Sequence, residues 1–304
     1  MTWLFLALGA HVANALVFVV DKSLLTGKSV LGRPVRYAFF SGLFAAAAVV
    51  ILPWAPVWPS AFLIYWSVIA GLCHLAALWL FFTVLKKGEP SRVVPIVGSA
   101  VPLFTLIFAG VVLGERWSAW QLAGVAALIV GGAVLSVRVD QFKKVRGKLL
   151  VIILLSGALF AAYFSLAKYI YDFSGQSFLA AFAYSRIVEG LLALVVLGPI
   201  IYLLPKEKKL KRRKKSVSVG IGSVFVGNKV LAAGAFLLQS YAISLGSVTV
   251  VNALQGTQYV FLLILAAAVS VWWPGFFKEE MGRVVLGQKA IGIALVGCGL
   301  ALLV

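Results

Sequence analysis

Apolar residues occur along this chain in ten long stretches, and short connections between them carry most of the charged side chains. Each stretch has about the 20 residues that an α-helix needs to cross the hydrocarbon core of a bilayer. The pattern predicts membrane-spanning helices, here numbered spans one to ten, at 2–20, 35–53, 60–85, 92–113, 117–137, 149–171, 177–204, 217–244, 248–273 and 284–304. The predicted fold is therefore an all-α integral membrane protein with ten transmembrane helices.

The composition agrees with a multi-pass protein of the cell membrane, the inner or plasma membrane. Of the 304 residues, 62% are hydrophobic and 12% are charged, whereas about 25% of a soluble domain is charged. The net charge of +18 would favour nucleic-acid binding in a soluble protein. Here the Lys and Arg residues flank the spans, where they set the topology, so we expect a lipid bilayer and no nucleic acid as partner. Span one lacks a basic start and a small-residue cleavage site, which predicts a retained helix and not a signal peptide.

Cysteine content argues against a disulfide framework or a metal centre. The two cysteines, Cys73 and Cys298, both fall inside predicted spans and have no partner at metal-ligand spacing. We therefore expect neither a metal site nor a cofactor.

The charge of the connections predicts which way the chain faces. Lys and Arg are concentrated after spans one, three, five and seven, and the strongest run is 206–215. We count Asp21 with the connection after span one. The positive-inside rule places these connections in the cytoplasm and both termini outside.

The two halves of the chain resemble each other. Shifts of 148, 158 and 168 residues align small residues of the halves: Gly9 with Gly157, Gly42 with Gly190, Gly98 with Gly256, Ser99 with Thr257, and Gly124 and Gly131 with Gly292 and Gly299. Their preserved order predicts a duplication of five spans, over 1–140 and 147–304. Because five is an odd number, the second copy must be inverted, which is a common plan of secondary transporters.

Two motifs and a glycine-rich last helix carry a family resemblance. The stretch 89–104 with its Pro-bearing helix, the turn Leu113-Gly-Glu-Arg-Trp-Ser118 and the glycine-rich last helix resemble the EamA-type transporters of the drug/metabolite transporter superfamily. The resemblance implies a ten-helix inverted-repeat carrier, often an exporter of amino acids, related metabolites or drugs, with both termini in the cytoplasm. The chain departs from the pattern in its second half, where Val260 replaces the counterpart of Pro102 and a longer stretch, 272–280, replaces the Gly-Glu turn.

Ionisable residues inside the spans are the main candidates for function. A charged side chain at mid-bilayer costs about 2.5–3.5 kcal/mol on insertion scales, so it should be paired or face a cavity. Arg186 and Glu189 lie three residues apart on one face of span seven, and Lys229 is near the middle of span eight. In one interpretation Arg186 and Lys229 bind a carboxylate or phosphate while Glu189 balances them or carries a coupling proton. In the other, the three residues form a structural ion-pair network that locks spans seven and eight.

Uncharged polar residues in the first three spans allow two interpretations. His74 lies at the centre of span three, and His11 and Asn14 share a face of span one. Each can contact a ligand, and each can equally form interhelical hydrogen bonds.

Span nine and its repeat mate, span four, offer further candidates. Asn252, Gln255 and Tyr259 are spaced as one stripe of a helix, which predicts that they line a wet cavity. In span four, Pro95, Ser99 and Pro102 recur on one side, and the two prolines are candidate hinges because proline frees backbone carbonyls. Ser99 is a candidate binding residue or a small packing residue.

These features predict a secondary transporter that exports or exchanges small polar metabolites, amino acids or related compounds, by alternating access. A flippase of a phosphorylated lipid is the nearest alternative, and a multidrug exporter is another. The chain has no nucleotide-binding loop and no clustered catalytic groups, so we expect neither ATP drive nor an enzyme. Proton coupling is an open possibility, and the protein is expected to be a monomer or a homodimer.

Overall fold

The computed structural model describes residues 2–26, 32–87, 90–136, 147–204, 216–272 and 283–303. Within these ranges the chain forms helices joined by short connections and contains no strand. The basic run 206–215 and the longer connection at 273–282, both used above, lie outside the described residues.

Twelve α-helices follow each other along the described chain. Those of the first half are α1 (Thr2–Thr26), α2 (Pro34–Ala45), α3 (Ala61–Lys87), α4 (Pro90–Val112) and α5 (Ala119–Ser136). A 3₁₀ segment, Ala46–Trp54, continues α2 and completes span two. Those of the second half are α6 (Gly147–Phe173), α7 (Phe178–Leu192), α8 (Gly198–Leu203), α9 (Ser216–Leu245), α10 (Val248–Ala253), α11 (Gln255–Trp272) and α12 (Arg283–Leu303). A short π-helical turn, Ala193–Leu197, joins α7 to α8 within span seven, and α10 and α11 together form span nine.

Within the described residues, seven helical segments are long and apolar enough to cross a bilayer. They are Thr2–Leu25, Pro34–Trp54, Ala61–Lys87, Gly147–Phe173, Phe178–Leu203, Gly220–Leu245 and Val248–Leu265. Shorter apolar helices lie where the other three spans are predicted, at Ile96–Val112, Ala119–Leu135 and Gly287–Leu303. The prediction of an all-helical, multi-pass membrane protein is confirmed, and the count of ten spans stays a prediction.

Helices of the two halves pack against each other across the middle of the molecule. In this arrangement α1 packs against α9 and α11, α6 packs against α3 and α4, and α5 packs against α12. Further contacts join α7 to α3 and to the 3₁₀ segment. The hydrophobic core is therefore built between the halves.

Four glycines let α5 and α12 approach to backbone contact. A Cβ built on Gly124 would lie 3.0 Å from the Gly299 carbonyl oxygen, and one on Gly131 would lie 3.0 Å from that of Gly292. The partner number falls as the residue number in α5 rises, so the two helices are antiparallel. Small residues let the two backbones approach closely, and the resulting van der Waals contacts hold the helices together in lipid, where the hydrophobic effect does not.

We expect Gly292→Val to destabilise the protein by about 1–3 kcal/mol, the usual cost of overpacking. A Cβ at this position would lie 2.7 Å from Leu135 Cγ and 3.2 Å from the Gly131 carbonyl oxygen, so the helices would have to separate. Gly297→Val, on the same helix, is the control, because its Cβ would meet open space. Thermal unfolding in detergent measures both variants, and equal midpoints would contradict the close packing of α5 on α12.

The turn after α4 ties the first half to the start of span nine. Gly114 adopts a left-handed conformation with φ of 65°, which glycine tolerates best. Glu115 then accepts hydrogen bonds from the Ser247 hydroxyl (2.8 Å) and from the Val248 amide (2.9 Å). A carboxylate here satisfies the free N–H groups at the start of α10. The Gly-Glu pair of the motif therefore positions α10.

Candidate functional site

A cavity of about 520 Å³ lies between the two halves. Its size falls in the range of about 300–1,000 Å³ that is usual for small-molecule sites. The polar side chains that line it are His11, Asn14, Asp21, Ser41, His74, Arg186, Lys229, Gln239, Gln255 and Gln258. The aromatic side chains that line it are Phe18, Phe44, Phe81, Phe82, Phe160, Phe164, Phe182 and Phe236. The cavity is thus largely apolar with a few polar groups.

Arg186 borders the cavity and is held by a buried carboxylate. Its Nη1 donates to Glu189 Oε2, one helical turn further along α7. His74, on α3, donates from Nδ1 to the other oxygen of Glu189 at 2.8 Å. Glu189 lies behind these two residues and is 1% exposed. The carboxylate therefore balances Arg186 and joins α7 to α3.

Aromatic rings hold the guanidinium and the imidazole in place. The Arg186 Cζ lies 4.3 Å from the centre of the Phe236 ring, within cation–π distance. The His74 ring stacks on Tyr163 with the ring centres 4.3 Å apart. The Tyr163 hydroxyl is 3.4 Å from Arg186 Nη1. Tyr163 and Phe236 both belong to the second half, so His74 projects from the first half into a pocket of the second.

A second buried ion pair borders the cavity on α1 and α9. Lys229 Nζ lies 3.0 Å from Asp21 Oδ1, and the same oxygen accepts from Asn228 (2.6 Å) and from the Tyr37 hydroxyl (2.5 Å). The Lys229 ammonium also lies 4.6 Å from the centre of the Tyr37 ring. These four residues, here called the Asp21 cluster, tie spans one, two and eight together.

The structure corrects two predictions about charge. Asp21 does not belong to the connection after span one: it lies inside α1, 2% exposed, because Lys229 and two further donors compensate its burial. Arg186, Glu189 and Lys229 do not form one network, because Lys229 is paired with Asp21 and Arg186 with Glu189. The cavity thus contains two separate ion pairs, each of which is charge-balanced.

Span nine is broken at Leu254, between α10 and α11. In an unbroken helix the Val251 carbonyl would accept from the amide of Gln255. Here it faces His11 Nε2 at 3.2 Å, and the Leu254 carbonyl accepts from the amide (2.9 Å) and hydroxyl (2.7 Å) of Thr257. Groups from α1 and α11 therefore satisfy the carbonyls that the break releases. Broken helices of this kind line the sites of many secondary transporters.

Two of the three residues in the predicted stripe of span nine do not line the cavity. Of the three, only Gln255 lines the cavity. Asn252 is fully buried between Gln239 (3.4 Å) and Thr105 (3.2 Å), where it joins span nine to spans eight and four. Tyr259 lies one turn after Gln255 on the same side of α11, but it is buried there, with its hydroxyl against Gly98 of α4.

Tyr259 and Ser99 pack against α4 and α5. A Cβ on Gly98 would lie 1.9 Å from the Tyr259 hydroxyl, and one on Gly132 would lie 3.0 Å from the Ser99 hydroxyl. Both hydroxyls are buried away from the cavity lining. A side chain at Gly98 or Gly132 would collide with Tyr259, so glycine at both positions leaves room for the tyrosine ring.

The candidate hinges lie on α4, which continues from Pro90 to Val112 without a break. Pro102 is buried and lacks the N–H that would bond the Gly98 carbonyl. The side chain of Pro95 lies outside the described residues. The hinge function of both prolines stays a prediction.

Of the other predicted site residues, Asn14 lines the cavity beside His11. Three further residues line the cavity that the sequence pattern does not indicate as site residues: Asp21, Gln239 and Gln258. Asp21 could have been recognised as a buried residue, because it lies within the helical pattern about one turn before the connection. For Gln258 and Gln239 no local signal distinguishes a cavity residue from a packing residue.

Comparisons with known proteins cover both halves of the chain. Residues 1–137 match the family model of the EamA-like transporter family. A solved structure titled only as the crystal structure of a protein superposes with a TM-score of 0.61, covering 97% of this chain and 95% of its own at 17% identity. At that identity the likeness shows the fold alone. None of the curated proteins matches the chain.

The family match falls on the half that contains both quoted motifs, and the fold match extends over nearly the whole chain. The resemblance inferred from the sequence is confirmed over residues 1–137, which match the EamA-like transporter family, and this match is consistent with an EamA-type protein of the drug/metabolite transporter superfamily.

Proposed function

We propose that the protein is a secondary transporter that exports or exchanges small metabolites by alternating access. The observation that carries the proposal is the cavity between the halves, which two buried ion pairs and a broken membrane helix border. Charged groups inside a membrane protein are costly and mark substrate or ion pathways. The EamA-like family match supports a transporter, and we propose a carrier rather than an enzyme.

The lining supports a substrate that is amphipathic and small, such as an amino acid or a related compound. Eight phenylalanines provide an apolar wall, and ten polar side chains share the lining. Because Arg186 and Lys229 are already paired, the cavity has no net charge to attract a multiply charged ion. A zwitterion or a singly charged compound with an apolar part fits this lining best.

The packing supports two inverted repeats, over 1–140 and 147–304. In such a repeat each span has a counterpart in the other half: span one corresponds to span six, and span eight to span three. A contact between spans one and eight should therefore have a matching contact between spans six and three. Both contacts are present, as α1 on α9 and α6 on α3. The glycine contacts follow the same correspondence, since Gly124 on Gly299 becomes Gly292 on Gly131. The antiparallel arrangement of α5 and α12 also fits inverted repeats, which are related by a pseudo-two-fold axis in the membrane plane.

Two counterpart interfaces are in different states, which supports alternating access. Spans three and seven are in close contact: a Cβ on Gly71 would lie 3.4 Å from Glu189 Cα, and the Ser67 and Ser185 hydroxyls are 2.8 Å apart. At the counterpart interface of spans eight and two, Val50 and Val230 both line the cavity and are 66% and 59% exposed. The cavity therefore opens between spans two and eight beside Val50 and Val230, although Tyr37 and Lys229 keep these spans in contact near the start of span two. We propose that the other state opens between spans three and seven.

The opening also favours the alternative function of a lipid flippase. Its edges, which include Val50 and Val230, are apolar and lie within membrane spans, where an acyl chain could enter sideways. The aromatic walls are equally compatible with a multidrug exporter.

Uptake into vesicles tests the proposed function and separates the three candidates. Purified protein is reconstituted and given labelled amino acids, organic anions, cationic drugs and fluorescent lipid phosphates. We expect saturable uptake of an amino acid or a similar small metabolite, with competition only inside that class. Lipid scrambling or flipping without metabolite uptake would contradict the proposal and support the flippase.

We further propose that the protein resides in the cell membrane with connection 206–215 in the cytoplasm, as the distribution of Lys and Arg predicts. Reporter fusions within 206–215 test the orientation. An extracellular reporter would support the orientation that the family resemblance implies. Coupling to protons and a monomeric or homodimeric state are part of the same proposal.

A further inference from the structure

Both ring nitrogens of His11 face oxygen atoms. Nε2 lies 3.2 Å from the Val251 carbonyl oxygen, and Nδ1 lies 3.2 Å from Gln258 Oε1. A carbonyl oxygen only accepts hydrogen bonds, so Nε2 must carry a hydrogen. A neutral imidazole has no second hydrogen to offer. The arrangement in the structure, with Gln258 Oε1 toward Nδ1, therefore fits the doubly protonated ring.

The neutral ring requires the opposite orientation of the Gln258 amide. With a lone pair on Nδ1, the Gln258 side chain must turn by about 180° so that its amide N–H₂ group donates to the ring. One proton on Nδ1 thus decides which end of the amide bonds to His11 and which end is left over. In the structure the remaining end is Nε2, which has no hydrogen-bond partner among the described residues.

The remaining end of the amide belongs to a residue that lines the transport cavity. Gln258 and His11 both border it, although each is only 1% exposed. Gln258 also lies in the first turn of α11, an 18-residue helix whose positive end begins at the break in span nine. Unsatisfied donors at such a position attract an anionic group.

Each cationic side chain that lines the cavity is already paired with a carboxylate of the protein. Lys229 is bound to Asp21, and Arg186 to Glu189, which also accepts from His74. These are the titratable groups that α3, α7 and α9 bring to the cavity, and none is a hydrogen-bond partner of His11. Tyr259 on α11 packs against Gly98 and not against the His11 ring.

We propose that His11 and Gln258 form a proton-coupled site for a carboxylate group of the substrate, an inference that rests on the proposed transport function. A proton binds Nδ1 of His11, the ring donates to Gln258 Oε1, and the Gln258 N–H₂ group donates to the carboxylate. One positive and one negative charge enter together, so this loading step adds no net charge to the cavity. Without the anion, burial disfavours the imidazolium. By reciprocity, the proton strengthens carboxylate binding as much as the carboxylate strengthens protonation.

The experiment exploits the fact that the chain has only two histidines. Full-length protein labelled with ¹⁵N-histidine is placed in lipid nanodiscs, and the ring signals are followed against pH, with His74→Gln assigning His11. The probe is saturating 3-phenylpropionate, and its neutral amide is the matched control ligand. We expect the carboxylate to raise the pH midpoint of His11 by about one unit, or tenfold in proton affinity, and the amide to leave it unchanged.

Gln258→Met keeps the size of the side chain and removes its hydrogen bonds. In this variant we expect the carboxylate-dependent shift of His11 to disappear. A His11 midpoint that ignores the carboxylate, or a shift that survives Gln258→Met, would overturn the inference. Because the measurement needs no transport, saturable uptake with an unresponsive His11 would reject this site alone. Absence of uptake from the whole vesicle panel would reject the proposed function instead.

Discussion

Replacing Asp21 with asparagine is expected to lower the free energy of unfolding by about 3–5 kcal/mol, the usual result of leaving a buried charge without its partner. Asp21 Oδ1 accepts from Lys229, Asn228 and Tyr37, and all four side chains are buried. Asparagine preserves the shape but leaves the Lys229 ammonium in the membrane interior without an anion. Thermal and denaturant unfolding in detergent measures the loss.

Two control variants separate this effect from a general sensitivity to the loss of a carboxylate. Asp172→Asn removes the partner of Lys168 in a pair that is partly exposed, with 3.0 Å between nitrogen and oxygen, and should cost about 1 kcal/mol or less. The double variant Asp21→Asn/Lys229→Met removes the stranded charge and should recover most of the stability. If Asp21→Asn were as stable as Asp172→Asn, the buried ion pair would not exist.

Neutralising the other ion pair is expected to reduce transport more than stability. In the double variant Arg186→Gln/Glu189→Gln neither charge remains, so no buried ion is left unpaired. Because Arg186 borders the cavity, we expect it to donate a charge-assisted hydrogen bond to the substrate, and the loss of this bond should cost about 1.5–3 kcal/mol. We therefore expect the substrate affinity in the vesicle assay to fall by about 10–100-fold.

The Ser67–Ser185 contact provides the matched control for this variant. It joins the same helices, α3 and α7, at 2.8 Å, but neither serine lines the cavity. Ser67→Ala/Ser185→Ala should leave the affinity unchanged. Wild-type affinity in the Arg186→Gln/Glu189→Gln protein would contradict this prediction. It would mean that the ion pair has only the structural role of holding the helices together.

The helices of this protein could be predicted because the signal is local. A span is defined by about 20 consecutive apolar residues, whatever the rest of the chain does. For the same reason Arg186, Glu189 and Lys229 could be recognised as unusual, since each interrupts such a stretch. The sequence also placed His74 at the centre of its span, and the structure brings it to Glu189.

The pairing of these residues could not be predicted because it depends on contacts between distant parts of the chain. Lys229 binds Asp21, 208 residues away, and His11 reaches the Val251 carbonyl across 240 residues. The break at Leu254 has no proline to indicate it. Bonds from His11 and Thr257 to the released carbonyls stabilise the break. Asn252 and Tyr259 are buried by contacts with Thr105 and Gly98 of α4, and periodicity along one span does not indicate such contacts.

A substitution that fills the cavity tests most directly whether it is the substrate path. A Cβ on Gly234 or on Gly227 would meet open space, and both glycines lie on α9, but only Gly234 lines the cavity. Uptake into reconstituted vesicles is measured for Gly234→Phe and Gly227→Phe, with folding checked by unfolding midpoints. We predict that Gly234→Phe lowers uptake to the level of protein-free vesicles while Gly227→Phe transports like the wild type. Equal, wild-type uptake by both variants would contradict the assignment of this cavity as the transport path.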